Sequence, residues 1–220
     1  MERTARAGAG GLSWIHEGQR HGTEVAVVAR RALVGPEAFE ITGTVAAVDE
    51  GMPFALRYRI VLDDSGRTRF AVLRCADAAS ELRVVVSGDG DGHWTVNNVR
   101  APELDGCLDV DLEASLLTNA FPVARLTLPE GEPVDVPAVW IRTTDLRPQV
   151  LRQRYRRLGD ADDPSPRFGY ESPEHAFSCE LAFGTDGFVV DYPELGRRSP
   201  QAPPGPSPLL RLAAPPISAS

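Results

Sequence analysis

The sequence predicts an all-β domain in which short antiparallel strands gather around one core as a barrel, roll or sandwich. Three observations carry this expectation. Apolar and polar residues alternate over runs of about five to ten residues, the period of a strand with one covered face. Gly, Pro and Asp interrupt those runs at short intervals. A helical period competes in one stretch alone, residues 148–158.

Residues 1–11 are rich in Gly, Ala and Arg and are read as a loose N-terminus. The strand-like runs then follow in order: "GTEVAVVAR", "FEITGTVAAV", "FALRYRIVLDD", "RFAVLRC" and "SELRVVVSG", separated by "VGPEA", "DEGMP", "DSGR" and "DAA". "SGDGDGHW" and "GTDGF" are hairpin loops, where Gly supplies positive φ and Asp tolerates it. In "TTDLRPQVLRQRYRRLGD" a helix would align Leu151, Tyr155 and Leu158, whereas a strand would put Arg152, Arg154 and Arg156 on one face. Strand-like neighbours on both sides favour the strand. Residues 199–220 carry seven prolines and are expected to be a disordered tail, so the folded unit is placed at 12–198.

Composition narrows the function. The formal charge is −8 over 220 residues, against the basic footprint of a nucleic-acid binder. No apolar run reaches the length of a membrane helix, and no secretory leader is visible. Cys75, Cys107 and Cys179 are odd in number and widely spaced, unlike a disulfide framework or a zinc pattern. The expectation is a soluble cytoplasmic protein with reduced thiols, no cofactor and no metal.

The usual catalytic motifs are missing. "GDGDG" is a turn rather than a phosphate cradle, because Asp89 and Asp91 would repel phosphate. His16, His21, His93 and His175 have no partner at recognisable spacing and read as surface or turn residues. The richest stretch is "GCLDVDLEASLLTNAFPVARL", residues 106–126. Leu108, Val110 and Leu112 alternate there with Asp109, Asp111 and Glu113. A turn at Thr118-Asn119 leads to a second alternating run from Phe121 to Leu128. In strands, the acids form one row, open to four readings: a solvated or salt-bridged face, a ligand wall, a metal site or a catalytic pair. The arginines at 152, 154 and 156 are a natural cross-strand partner for that row, which would leave the aliphatic residues facing inward.

Residues 106–126 resemble the signature of the bacterial glycolipid-binding family, roughly G-C-x-D-V-D-L, then T-N, then P-[IV]-x-R-L. "SWIHEG", "FALRYRIVLDDSGRTRFAVL", "DGHW", "RQRY", "FGYES" and "GFVVDYP" extend the resemblance over about residues 12–198. Departures are Leu116-Leu117, where the family commonly has a proline, and Ala124 in place of a second arginine. The resemblance implies a spiral β-roll, a curved antiparallel sheet that nearly closes, similar in architecture to lipoprotein carriers. It also implies a non-enzymatic binder of an amphipathic, glycolipid-like molecule. The motif residues expected to meet that ligand are Trp94, Asp109, Asp111, Thr118, Asn119, Arg125, Gln153, Tyr155, Tyr170, Asp191 and Tyr192. The competing expectation is an enzyme acting on a sugar or lipid ester through Asp109 and Asp111.

Overall fold

A computed structural model describes residues 9–31, 38–126, 128, 130–159 and 165–200. An antiparallel meander builds the first arm: β1 (Ala9–His16), β2 (Arg20–Arg31), β3 (Ala38–Asp49), β4 (Met52–Leu62), β5 (Thr68–Asp77) and β6 (Glu81–Gly88). It ends in the short β7 (Trp94–Val96) and β8 (Val99–Arg100). Local chemistry sets the turns. Glu50-Gly51 joins β3 to β4 and Asn97-Asn98 joins β7 to β8, each pair at positive φ, the conformation a two-residue type I′ hairpin requires. Alternation sets the faces. On β4, Leu56, Tyr58 and Ile60 are buried while Arg57 is exposed.

The chain then crosses the inside of that arm. β9 (Asp109–Leu112) leads through a tight turn to a short helix, α1 (Ala120–Arg125). β10 (Pro133–Asp135), β11 (Ala138–Ile141) and β12 (Pro148–Leu151) follow. β9 pairs in parallel with β11, and β11 pairs antiparallel with β12, as a small second sheet. The second arm is β13 (Arg154–Leu158), β14 (Arg167–Ser172), β15 (Phe177–Phe183), β16 (Val189–Tyr192) and β17 (Gly196–Arg198). β17 pairs with β1, so both arms are one curved antiparallel sheet, open between β8 and β10. The Trp14 indole donates to the Val189 carbonyl (2.7 Å) and ties the arms across β17.

The buried face is common to both arms. Ile41, Leu56, Ile60 and Leu73 from the first and Tyr155, Phe168, Leu181 and Phe183 from the second join one core with Val110, Leu116, Leu117 and Phe121 from the crossing segment. That segment is the filling of the roll, so both its faces are covered.

The all-β expectation, the hairpins and the strands of the first arm stand. Residues 148–158 are extended, but the chain breaks at Arg152-Gln153 into β12 and β13, which belong to different sheets. Residues 9–11, expected to be loose, pair with β2. Residues 1–8 and 201–220, the rest of the two expected loose ends, lie outside the described residues. The second run of the 106–126 motif is not a strand. It is α1, with Pro122 in its first turn, where the missing N–H costs no helical hydrogen bond. His16 is not at the surface: it is 3% exposed, in phase with buried Leu12 and Trp14.

Candidate functional site

A cavity of about 380 Å³ opens where the crossing segment meets the second arm. Asp111, Glu113, Ser115 and Asn119 line it from β9 and the turn that follows. Tyr170 and Ser172 of β14, Phe177 of β15 and Tyr192 of β16 form the facing wall. Gln19 and Arg20 close it beside β2, and Leu112, Trp140, Leu151, His175 and Leu195 complete the lining.

Register explains these positions. Tyr170 and Ser172 are two residues apart on one strand and share a face, while Phe177 sits opposite Ser172 in the ladder. Tyr155 is the cross-strand neighbour of Tyr170, and their rings meet edge to face at 5.2 Å. Tyr170 and Tyr192 meet the same way at 6.0 Å. The parallel pairing of β9 with β11 sets Trp140 beside Asp111. The exposed His175 packs its ring on Trp140, with centroids 5.0 Å apart.

The acid row is the main correction. Asp109 and Asp111 are buried, Glu113 is partly exposed, and the row does not meet the arginine row. Asp109 is 1% exposed and accepts from the Arg125 guanidinium at 2.6 Å. Asp111 is also buried and accepts from the Thr118 hydroxyl at 2.7 Å. Glu113 accepts from the Thr143 N–H at 2.7 Å. Arg154 pairs instead with Asp135 and Glu171, and Arg152 with Glu174. The expectation failed because β9 is covered on both faces, so alternation there does not separate core from water. Burial pushes the Asp111 carboxyl up to about 6, helped by Asp109 and Glu113 and opposed by Thr118.

A chain of hydrogen bonds holds this side of the cavity. Thr118 Oγ1 also accepts from the Leu112 N–H, and the buried Tyr155 hydroxyl donates to Asn119 Oδ1 (2.9 Å). Beneath the turn lies Glu24 of β2, fully buried, which accepts from the Tyr58 hydroxyl (2.7 Å), the Ser115 hydroxyl (2.6 Å) and the Leu116 N–H (2.8 Å). Burial raises the Glu24 carboxyl above its ordinary range, against those donors. Gly43 of β3 makes room for this arrangement, since a Cβ there would stand 2.2 Å from the Tyr58 ring.

Of the residues expected to meet a ligand, Asp111, Asn119, Tyr170 and Tyr192 line the cavity. Thr118 and Tyr155 are bonded to lining residues, and Asp109 pairs with Arg125 behind the lining. Gln153 is buried, and its Oε1 has no hydrogen-bond partner among the described residues. Trp94 lies apart from the lining, its indole donating to the Cys107 carbonyl (2.9 Å). Asp191 is exposed, facing away from Tyr192. Sequence reasoning missed Glu24, Arg20 and His16. Glu24 and His16 carried a readable signal: each sits in phase with the buried residues of its strand, Glu24 with Ala26 and Val28. The His16 imidazole is held down at about 4 by burial and then by Arg20. Among the described residues, no three His, Cys, Asp or Glu side chains converge as a metal-ligand group.

No curated protein matches significantly. A crystal structure of a DUF1089 family protein from Pseudomonas aeruginosa is similar over 90% of this chain and 99% of its own, with 29% identity and a TM-score of 0.68. A beta-barrel-like protein of domain of unknown function DUF1849 from Brucella abortus is more distant, at 9% identity and a TM-score of 0.49 over 86% of this chain and 93% of its own. A family model described as "Putative glycolipid-binding" matches residues 12–198, and the chain belongs to that glycolipid-binding family.

Proposed function

We propose that the protein binds, without catalysis, the sugar head group of a glycolipid in the cavity between β9 and the second arm. One observation carries this reading. The cavity combines aromatic faces (Tyr170, Tyr192, Trp140, Phe177) with hydrogen-bonding groups (Asp111, Ser115, Asn119, Gln19) in a volume of about 380 Å³. Pyranose rings present C–H faces to aromatic rings and hydroxyls to polar groups. The volume falls in the range of roughly 300–1,000 Å³ usual for small-ligand sites. An apolar tail would leave past Phe177, Leu151 and Leu195, where each methylene removed from water contributes about 0.8 kcal/mol. This differs from an acyl-filled interior, because the inner face elsewhere is packed core.

Catalysis by a carboxylate pair fits the geometry less well. Asp109 is engaged by Arg125 and does not line the cavity, so the Asp109/Asp111 pair does not converge there, and Glu113, the other lining acid, comes from the same chain segment as Asp111 and accepts from the Thr143 N–H. The free thiols Cys75, Cys107 and Cys179 fit a reducing, cytoplasmic setting.

Isothermal titration with octyl β-D-glucoside below its micellar concentration tests the reading, supported by native mass spectrometry of co-purifying lipids. The expected dissociation constant is about micromolar, near −8 kcal/mol. Tyr192→Ala is expected to weaken binding at least tenfold, and Asp191→Ala, on the other face of the same strand, to leave it unchanged. A folded protein that binds no glycolipid would end the proposal. Release of octanol on incubation would replace it with the enzyme reading.

A further inference from the structure

The charges around the cavity constrain the head group more narrowly than its shape does. The chain has no lysine, so every side-chain cation apart from a protonated histidine is an arginine. Arg20 is the lining arginine, and its guanidinium is committed. It donates through Nε and Nη2 to Asp49 (3.1 and 2.6 Å) and through Nη1 to the Glu113 carbonyl (3.0 Å). Arg125, behind the lining, is committed to Asp109. The acids are less well served. Asp111 receives one hydrogen bond, from Thr118 to Oδ1. Its Oδ2 has no donor among the described residues, although the side chain is more than nine-tenths buried and lines the cavity. Ser172 also lines the cavity and is buried, and its Oγ sits beside the Tyr170 hydroxyl without a hydrogen bond of ordinary geometry.

The Asp111 Oδ2, open to the cavity and without a protein donor among the described residues, is placed to accept from the hydroxyls of a ligand. A ligand that brings a second negative charge meets Asp111 and Glu113 at close range, and the lining arginine, Arg20, already faces the carboxylates of Asp49 (2.6 Å) and Glu113 (4.0 Å). Resting on the glycolipid-binding reading, we propose that the cavity selects hydroxyl-rich head groups that carry no negative charge. Asp111 Oδ2 accepts from the sugar hydroxyls and, with Glu113, rejects carboxylate-, phosphate- or sulfate-bearing head groups. Its carboxyl titrates near 6, so it is ionised at pH 8, where the selection is strongest.

The experiment compares two probes with the same tail and ring, octyl β-D-glucoside and octyl β-D-glucuronide, by isothermal titration at pH 8. The glucuronide is expected to bind at least tenfold more weakly. Asp111→Asn keeps the Thr118 contact and is expected to shrink that ratio below about threefold, mainly by weakening the glucoside and relieving the glucuronide. Equal or tighter binding of the glucuronide by the wild-type protein overturns the selection while leaving glycolipid binding intact. An unchanged ratio in a folded Asp111→Asn protein removes Asp111 from the role. Binding of neither probe overturns the selection and the binding reading together.

Discussion

The meander β2–β5 and the crossing segment 106–126 are both built from alternating apolar and polar residues, yet alternation means different things in them. In the meander one face is core and the other is water. Val25 and Val27 lie on the outer face at 54% and 41% exposure, while Ala26 and Val28, which alternate with them, are buried. In β9 both faces are covered, and Asp109, Val110, Asp111 and Leu112 are all buried. The polar members of that row therefore meet named partners or face the cavity. The lesson is that a polar residue in phase with a strand's outer face is bland, whereas one inside a covered segment marks a built site.

The joint between the two regions is Glu24, and breaking it tests the comparison most severely. Glu24→Ala strands the Tyr58 and Ser115 hydroxyls and the Leu116 N–H in the core, at roughly 1–3 kcal/mol for each unsatisfied buried group. A net loss of about 3–5 kcal/mol by urea unfolding is expected. A loss below about 1 kcal/mol would show that the crossing segment does not depend on β2.

Gly43→Ala attacks the same joint from β3 by pushing on the Tyr58 ring, and overpacking of this kind costs about 1–3 kcal/mol. Gly51→Ala, in the β3–β4 turn with open space around it but φ at +81°, is expected to cost only about 1 kcal/mol. A reversed order in thermal melts would mean that turn geometry, not the covered segment, limits stability.

Asp111→Asn is expected to raise stability, with a sign set by linkage. The folded-state value near 6 lies above the ordinary carboxylate value of about 3.9, so between those pH values the folded protein holds the proton more tightly. Wild-type stability is thus least penalised below about pH 4 and falls as pH rises through about 6. The variant is expected to be about 1–2 kcal/mol more stable at pH 8 and indistinguishable at pH 4. A gain that persists at pH 4 would sink the assignment to Asp111 titration.

Val25→Thr, on the outer face of β2, is expected to stay within about 0.5 kcal/mol of wild type in the same assay. A larger loss would mean that this face is covered by another surface.

The meander was legible because each element carried its own signal. "DEGM" encodes a two-residue turn, and the alternating faces of β4 follow from residues that repel or seek water. The motif over 106–126 was legible as family membership, because it needed only residue identity and order. The acid row was not legible. Whether Asp109 and Asp111 face water, Arg125 or a cavity depends on what lies over β9, and that cover comes from β5, α1, β11 and the second arm, distant in sequence. For the same reason, alternation from Phe121 to Leu128 could not tell a strand from the short helix α1: in a segment buried on all sides, apolar periodicity carries no directional information. The sequence by itself determined a curved all-β sheet, its turns and its family. The tertiary structure decided which carboxylates point inward, because only the packing of both arms around one segment withdraws them from water and leaves Asp111 with an acceptor oxygen to fill.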